Sequence, residues 1–528
     1  MKHHHSIGAV RVGRNRFNKS YRKLFDCYMG QIIPVQVDLM IPSDTFRLKM
    51  DVVLRSLPLV APILHKIDIY THTFFVPLRI IDEKFETAFT GGENPLESDI
   101  KSLQFTKWHE TDTHIPAAEI SKYSLWDYFG FPPPSTPQPD YRLEPRPVSW
   151  PWKAYNLIWN EYYRDQQLQN ERHPEDGKVA WSAWKKDYFT SARPTPYLGP
   201  ELALPISGTT FANFSNNNNI YVNPSPNPNT PNVAIDWNSA SSIQTNAYAP
   251  NTTGDLANRI RSTLSNNTVD LSTASTFDWN DLRTIAQLTK WQERNMRAGT
   301  RLTEALRARW GVSPRDERLQ RPEYVGGSKS NIIISEVLQT SETSSESPLG
   351  ALGGHAIAAN ITKTLKYRAQ EPGILMTLLK VMPKAGYMQG INREWLMNTR
   401  WDFPFPEFLR LGEREIKRGE IYYDTADGSG PANDAIFGFR GIFDEFRSSH
   451  DMVCGALRDT MSYWHLTRRF ATTPVLNSNF ITCRGDDPRF MEAWEVTDRP
   501  PLIIHVGNNI KAIRPLPKTA EPGLIDHF

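Results

Sequence analysis

Period-two alternation marks both ends of this chain and largely disappears between them, which limits the folds available to it. In Thr45–Val52, Phe46, Leu48, Met50 and Val52 alternate with Arg47, Lys49 and Asp51, the pattern of a strand with one buried face. Just before it, Val35, Val37, Leu39 and Ile41 alternate with Gln36 and Asp38, and Pro42-Ser43-Asp44 supplies turn chemistry between the two runs. A third strand is expected over Lys66–Val76, stopped by Pro77. Gly373–Met382 (GILMTLLKVM) is too short to cross a membrane and reads as a buried strand, and Pro501–Val506 reads as another. Three antiparallel strand candidates at this spacing predict a sandwich. Strands that return late in the chain predict one β-sandwich with large insertions rather than two successive domains.

The middle supplies those insertions. Pro132–Pro151 holds eight prolines in twenty residues and is expected to be an extended connector. A helix is predicted after it, with Pro151 in the first turn and Tyr155, Ile158, Trp159 and Tyr162 on one face. From Ser207 to about Ser275 periodicity vanishes, and thirteen of the twenty residues from Asn213 to Asn232 are Asn or Pro. That segment predicts a surface protrusion outside any core. Helix is expected again over Asp278–Trp310, with Leu282, Ile285, Leu288 and Trp291 on one stripe, a break at Gly299 and an end at Gly311. With 528 residues and only 39% hydrophobic content, part of the burial is expected between subunits. The organisation predicted is a basic arm over residues 1–30, then a single domain over 31–528 with insertions over about 78–330.

Candidate chemistry is sparse. Leu319–Asn331 (LQRPEYVGGSKSN) has the glycines, lysine and serines of a phosphate loop. The Walker spacing G-x-x-x-x-G-K-[ST] is absent, and β-branched Ile332–Ile334 follows instead of a helix. A glycine turn feeding a strand is the reading adopted. His65 and His72 would lie more than about 20 Å apart along an extended chain and so cannot share an ion. Glu161 and Asp165 sit four apart on a helix, a spacing compatible with a glycosidase pair but more ordinary for solvated carboxylates. Cys27, Cys454 and Cys483 have no metal or disulfide spacing and fit a reducing compartment. The first residues lack the apolar stretch of a signal peptide, and no run of eighteen apolar residues exists. No catalytic residue, metal site, cofactor or membrane insertion is expected.

Several blocks in order resemble the major capsid protein of the microviruses, especially the gokushovirus-like branch. They are MGQIIPVQVDLMIPSDTFRLKM (29–50), AYNLIWNEYYRDQQLQ (154–169), DYFTSARPTPYLG (187–199), ERLQRPEYVGG (317–327), QGINREWLMNTRWDF (389–403) and RPLPKTAEPGLIDHF (514–528). The resemblance implies a mainly β protein, an eight-stranded antiparallel jelly roll with long helical and loop insertions. It implies assembly with itself as sixty copies in a T=1 shell around circular single-stranded DNA. It also implies a small basic DNA-binding protein and minor virion proteins as partners, and assembly in the cytoplasm of a bacterial host. A host surface receptor would be met by the 207–275 protrusion, in trimeric projections. The competing reading is a carbohydrate-binding or carbohydrate-active jelly roll, which needs exposed aromatic platforms.

Within that picture the N-terminal arm is the candidate DNA contact. Arg11, Arg14, Arg16, Lys19, Arg22 and Lys23 occur with no acid before Asp26, interleaved with Phe17, Tyr21 and Phe25. Such a mixture combines phosphate neutralisation with base stacking; a solvated tail or an intersubunit arm is the plainer alternative. A net charge of +2 per chain cannot neutralise a genome alone, hence the expected basic partner. Arg514–Phe528, with three prolines and Gly523, is expected to lie as an extended strap.

Overall fold

The computed structural model describes residues 13–90, 105–112, 114–136, 139–200, 202, 220–222, 233–235, 279–338, 352–425 and 432–519. Two compact units divide the chain: Met1–Pro196 with Asn295–Phe528, and Tyr197–Arg294. The early strands of the first unit are β1 (Asn15–Asn18), β2 (Tyr21–Cys27), β3 (Ile33–Met40), β4 (Thr45–Ser56) and β5 (Ile67–Pro77). Short β6 (Ile115–Pro116) and β7 (Asp140–Tyr141) pair with each other inside the insertion. In the second unit β8 (Ile220–Val222) and β9 (Val233–Ile235) form an antiparallel ribbon. The first unit resumes with β10 (Glu323–Asn331), β11 (Ile333–Leu338), β12 (Leu352–Ile361), β13 (Leu365–Arg368), β14 (Gly373–Pro383), β15 (Glu413–Lys417), β16 (Ile436–Gly441) and β17 (Leu502–Arg514).

Two antiparallel sheets carry the first unit. A seven-stranded sheet runs β1-β17-β4-β12-β11, with β2 also on β17 and β13 also on β4. A four-stranded sheet runs β10-β5-β14-β3. The three early strands are antiparallel members of this sandwich, and none pairs with another. β3 and β5 flank β14, while β4 lies between β17 and β12 in the other sheet. Local alternation specifies a strand and its buried face; the partner is chosen by segments hundreds of residues away.

β4 buries Phe46, Leu48, Met50, Val52 and Leu54 and exposes Arg47, Lys49, Val53 and Arg55, as its alternation predicts. β14 is buried on both faces except at Lys380. One face meets the seven-stranded sheet, where Phe75 of neighbouring β5 packs on Tyr367 of β13 with ring centroids 4.8 Å apart. The other face is covered by the helix Trp150–Ile158 and the π-helical turn Trp159–Tyr163. There Tyr162 packs on Phe74 at 4.8 Å and Tyr155 Oη donates to Ile32 O at 2.7 Å. Beyond the helix, stacked Trp108 and Trp152 (4.2 Å between centroids) extend the core into the insertion.

β3 departs from its predicted phase. Gln36 and Asp38, expected to face solvent, are only 1% and 6% exposed, while Leu39 is outside. They belong to a polar chain between the sheets. Thr73 Oγ1 bonds Thr377 Oγ1 at 2.9 Å, and Thr377 Oγ1 donates to Gln36 Oε1 at 2.8 Å. Gln36 Nε2 then donates to Asp38 Oδ2 at 2.7 Å, and Lys19 Nζ closes on Asp38 Oδ1 at 2.6 Å. Mutual satisfaction makes burial of these groups tolerable.

Gly326 and Gly327 are likewise not turn residues. They sit within β10 at a register shift against β5. A Cβ on Gly327 would stand 2.4 Å from Thr71 O, so close backbone approach demands the glycine. The strand expected over Pro501–Val506 continues through Gly507-Asn508-Asn509 to Arg514, since Asn508 is buried and donates to Val35 O at 3.0 Å. Helices occupy Trp279–Ala298 and Leu302–Trp310, separated at Gly299 (φ 95°) and capped by Gly311 (φ 68°). On the first of them Leu282 and Ile285 are half-buried and Leu288 and Trp291 exposed. Most of Ser207–Ser275 and the end of the C-terminal run, residues 520–528, lie outside the described residues.

Candidate nucleic-acid interface

The residues expected to form a free basic arm include two strands of the larger sheet. β1 pairs with the end of β17, Asn15 opposite Arg514 through Asn18 opposite Lys511, and β2 pairs with its beginning, Leu502–Asn508. Strand alternation then sorts the candidate DNA contacts onto two sides. Arg16 and Arg22 point outward with Lys511, whereas Phe17 and Phe25 share the inward side with Ala512 and Ile504. Phe25 meets Tyr128 edge to face at 6.1 Å. The cations and aromatics that looked interleaved are therefore separated by the sheet.

Lys19 and Lys23 are also taken up by the protein. Lys19 is paired with Asp38 and lies over the Phe46 ring. Lys23 donates to Pro34 O at 2.6 Å and to Tyr128 O, and burial lowers its pKa to about 8. Arg14 is exposed just before β1, and Arg11 lies outside the described residues.

What the arm lacks is supplied by neighbouring strands. Lys511 of β17 stands directly opposite Arg47 of β4, and Arg47 directly opposite Lys366 of β13. Arg16, Arg22, Lys49 and Arg368 lie around this row on the same outward face. All seven cations are exposed. Among the described residues none of them carries an ion pair. Asp51 is the acid nearest in register, and it accepts from Asn509 Nδ2 at 2.7 Å. Directly opposed like charges destabilise a sheet, so nothing among the described residues favours this row; a polyanion lying on it would. No Phe, Tyr or Trp is among the outward positions of β4 and β17. The face therefore suits phosphates and offers no stacking platform.

The other half of the same face is aliphatic around exposed Arg55, which stands opposite Ile503 and Ile357. Leu24, Val53, Ile357, Ile361, Ile503 and Ile333 are exposed there. The cationic half had a sequence signal: alternation in β4 points Arg47 and Lys49 outward. Which residues of β13 and β17 would stand beside them was not readable.

The remaining chemical candidates find structural roles. His72 Nδ1 lies 2.7 Å from Tyr163 Oη, and burial, then the charge of Lys380, lowers its pKa to about 4. His65 Nε2 lies 2.6 Å from Lys384 O. Asp165 is paired with Lys186 at 2.5 Å and accepts from Gln167 N at 3.1 Å, so it is committed away from Glu161. Lys329 of the glycine stretch pairs with Asp68 at 2.8 Å. Trp108, Trp126 and Trp152 are core residues rather than sugar platforms. Among the described residues no group of three His, Cys, Asp or Glu could hold a metal, and no helix is long and apolar enough to cross a membrane.

Comparison with known proteins matches residues 6–524 to the model of a family described as capsid protein (F protein). The chain is 31% identical to capsid protein VP1 of Chlamydia phage 1, over 98% of this chain and 97% of that one. It is 27% identical to capsid protein VP1 of Bdellovibrio phage phiMH2K, covering 99% and 97%, and 26% identical to that of Spiroplasma virus 4, covering 97% and 96%.

Proposed function

The chain belongs to the capsid protein (F protein) family of the microviruses and is a structural major capsid protein of the virion; from that premise we propose that sixty copies enclose a circular single-stranded DNA genome in a T=1 shell. We further propose that the outward face of the seven-stranded sheet lines the interior. The observation that carries this is the unpaired row Lys511-Arg47-Lys366 with Arg16 and Arg22 beside it. A cationic face without aromatics matches a ligand read by its phosphates and not by its sequence. The small net charge leaves most of the neutralisation to a separate basic protein packaged with the DNA.

The fold reading is an eight-stranded jelly roll. Its support is the order β2-β17-β4-β12 facing β3-β14-β5-β10, with the chain crossing between sheets at nearly every step. β1 and β13 then extend lanes begun by β2 and β12, and β11 is an addition at the edge. The Ser207–Ser275 segment is proposed as the outward projection and host-contact surface, in trimers, with assembly in the bacterial cytoplasm. Its support is a composition that cannot enter a core.

Replacing Arg16, Arg22 and Arg47 by Gln is expected to lower DNA per purified particle while shell yield holds. Unchanged DNA content would place the genome elsewhere. Replacing residues 213–268 with a short Gly/Ser linker is expected to leave shells that adsorb poorly to cells; normal adsorption would remove the host-contact role.

A further inference from the structure

The loop between β14 and β15 presents apolar side chains in a way a core does not require. Three short 3₁₀ turns, Arg393–Trp395, Arg400–Asp402 and Pro406–Phe408, carry it. Trp401 packs on Phe408 at 4.4 Å between centroids, and Phe405 contacts both Phe403 (5.1 Å) and Phe408 (5.8 Å). The cluster nevertheless faces out: Trp401 is 55% and Phe403 53% exposed, and Leu409 and Leu411 continue it. Pro404 and Pro406 fix the backbone between the rings.

Beneath this surface lies a charged base. Arg393 and Glu420, 4% and 2% exposed, pair at 2.9 Å. Glu420 also accepts from Tyr188 Oη at 2.9 Å and Lys417 N at 2.8 Å. Asp402 accepts from Thr399 N and Oγ1, both at 3.0 Å, and lies 3.4 Å from Arg393. Three donors hold the buried Glu420 carboxylate, while Arg393 Nε stays without a partner; the buried pair ties the loop to the strand below it, and such a base fixes the aromatic loop in one conformation. Rigid, exposed aromatics on a braced loop are what a tight contact uses, because little entropy remains to be lost on binding.

The rim identifies the partner. Glu394, Arg400, Glu407 and Arg410 are exposed, and among the described residues none carries an ion pair. Two charges of each sign make the rim neutral, unlike the basic sheet face, so a polyanion gains nothing here. A copy of the same loop, related by a twofold axis, can match each sign with its opposite. We propose that the loop Glu394–Leu411 is a self-complementary contact through which two copies of the chain meet across a twofold axis of the shell; this rests on the self-assembly reading above.

Charge swaps test it under conditions in which the wild-type chain yields shells; without wild-type shells it is the assembly reading that fails. Arg400→Glu with Arg410→Glu is expected to cut particle yield at least tenfold. Co-expression with a chain carrying Glu394→Arg and Glu407→Arg is expected to restore it, and that rescue also shows both chains fold. A chain with all four reversals should form shells alone and exclude wild-type copies on co-expression. Failure of the four-reversal chain to assemble, with its melting temperature unchanged, would mean that the loop meets a different surface. Wild-type shell yield from Trp401→Ser with Phe405→Ser would mean that it is no contact at all.

Discussion

The two sheets of the sandwich solve different problems with the same backbone. The four-stranded sheet is enclosed: β14 is buried along nearly its whole length, between the seven-stranded sheet on one side and the helix Trp150–Ile158 on the other. The seven-stranded sheet is open, and its outward positions carry cations at one end and aliphatic side chains at the other. Enclosure concentrates stability in β3, β5 and β14. The open face contributes little packing, and its charge row opposes the fold slightly. What the open face supplies is a surface, and the two sheets should therefore respond oppositely to mutation.

The largest contrast is expected from deleting apolar volume. Leu379→Ala, in the middle of β14, should cost about 2–5 kcal/mol because a fully buried site leaves a cavity. Val53→Ala, on the outward face of β4, should change subunit stability by less than about 0.5 kcal/mol. Denaturant melts of unassembled protein measure both, and equal costs would show that the open face is packed within the subunit. Next comes the polar chain between the sheets. Asp38→Ala removes the acceptor of Lys19 and Gln36 and should cost about 2–4 kcal/mol, since partly buried donors lose their partner. A cost near zero would show that water replaces the carboxylate.

Acid should loosen the enclosed sheet before the open one. His72 lies on β5, held neutral by burial and by Lys380, with its pKa lowered to about 4 from an ordinary 6.5. The unfolded chain therefore binds this proton more readily than the folded one between those values. Its contribution is fully present above about pH 6.5 and is lost as pH falls toward 4, a change on the order of 3 kcal/mol. His65 and His450, also lowered by burial, act in the same direction. His109, raised by its bonds to Glu119 and Asp112 despite its burial, acts oppositely. His72→Gln keeps a polar partner for Tyr163 and should flatten the melting temperature between pH 6.5 and 4; an unchanged slope would assign the acid sensitivity elsewhere.

The same contrast explains what was legible in the sequence. β4 and β14 were readable because one alternates and the other is continuously apolar. The helix break at Gly299 and end at Gly311 were readable because glycine enters the left-handed region cheaply. β3 misled because Gln36 and Asp38 look like a solvent face, and their burial depends on Thr73, Thr377 and Lys19, distant in sequence. β1 and β2 misled because their charge suggested a free arm, while pairing with β17 is a long-range event. β17 was cut short because Gly507-Asn508-Asn509 carries turn composition. The basic face was half legible: Arg47 and Lys49 pointed outward by alternation, and only the register joined them to Arg16, Arg22, Lys366, Arg368 and Lys511.

The smallest expected effect is also the most diagnostic, because it has two readouts of opposite sign. Replacing Arg47, Lys366 and Lys511 by Gln removes two directly opposed like-charge pairs. Each such pair costs a few tenths of a kcal/mol up to about 1 kcal/mol, so the unassembled subunit should become slightly more stable. Affinity for single-stranded DNA should fall at the same time. Each lost phosphate contact reduces the salt slope by about 0.7, so three should reduce it by about 2. A row retained for structure would lose stability on neutralisation, and a row that merely decorates the surface would leave the salt slope unchanged. Only a face kept cationic for a polyanion becomes more stable and binds less in the same variant.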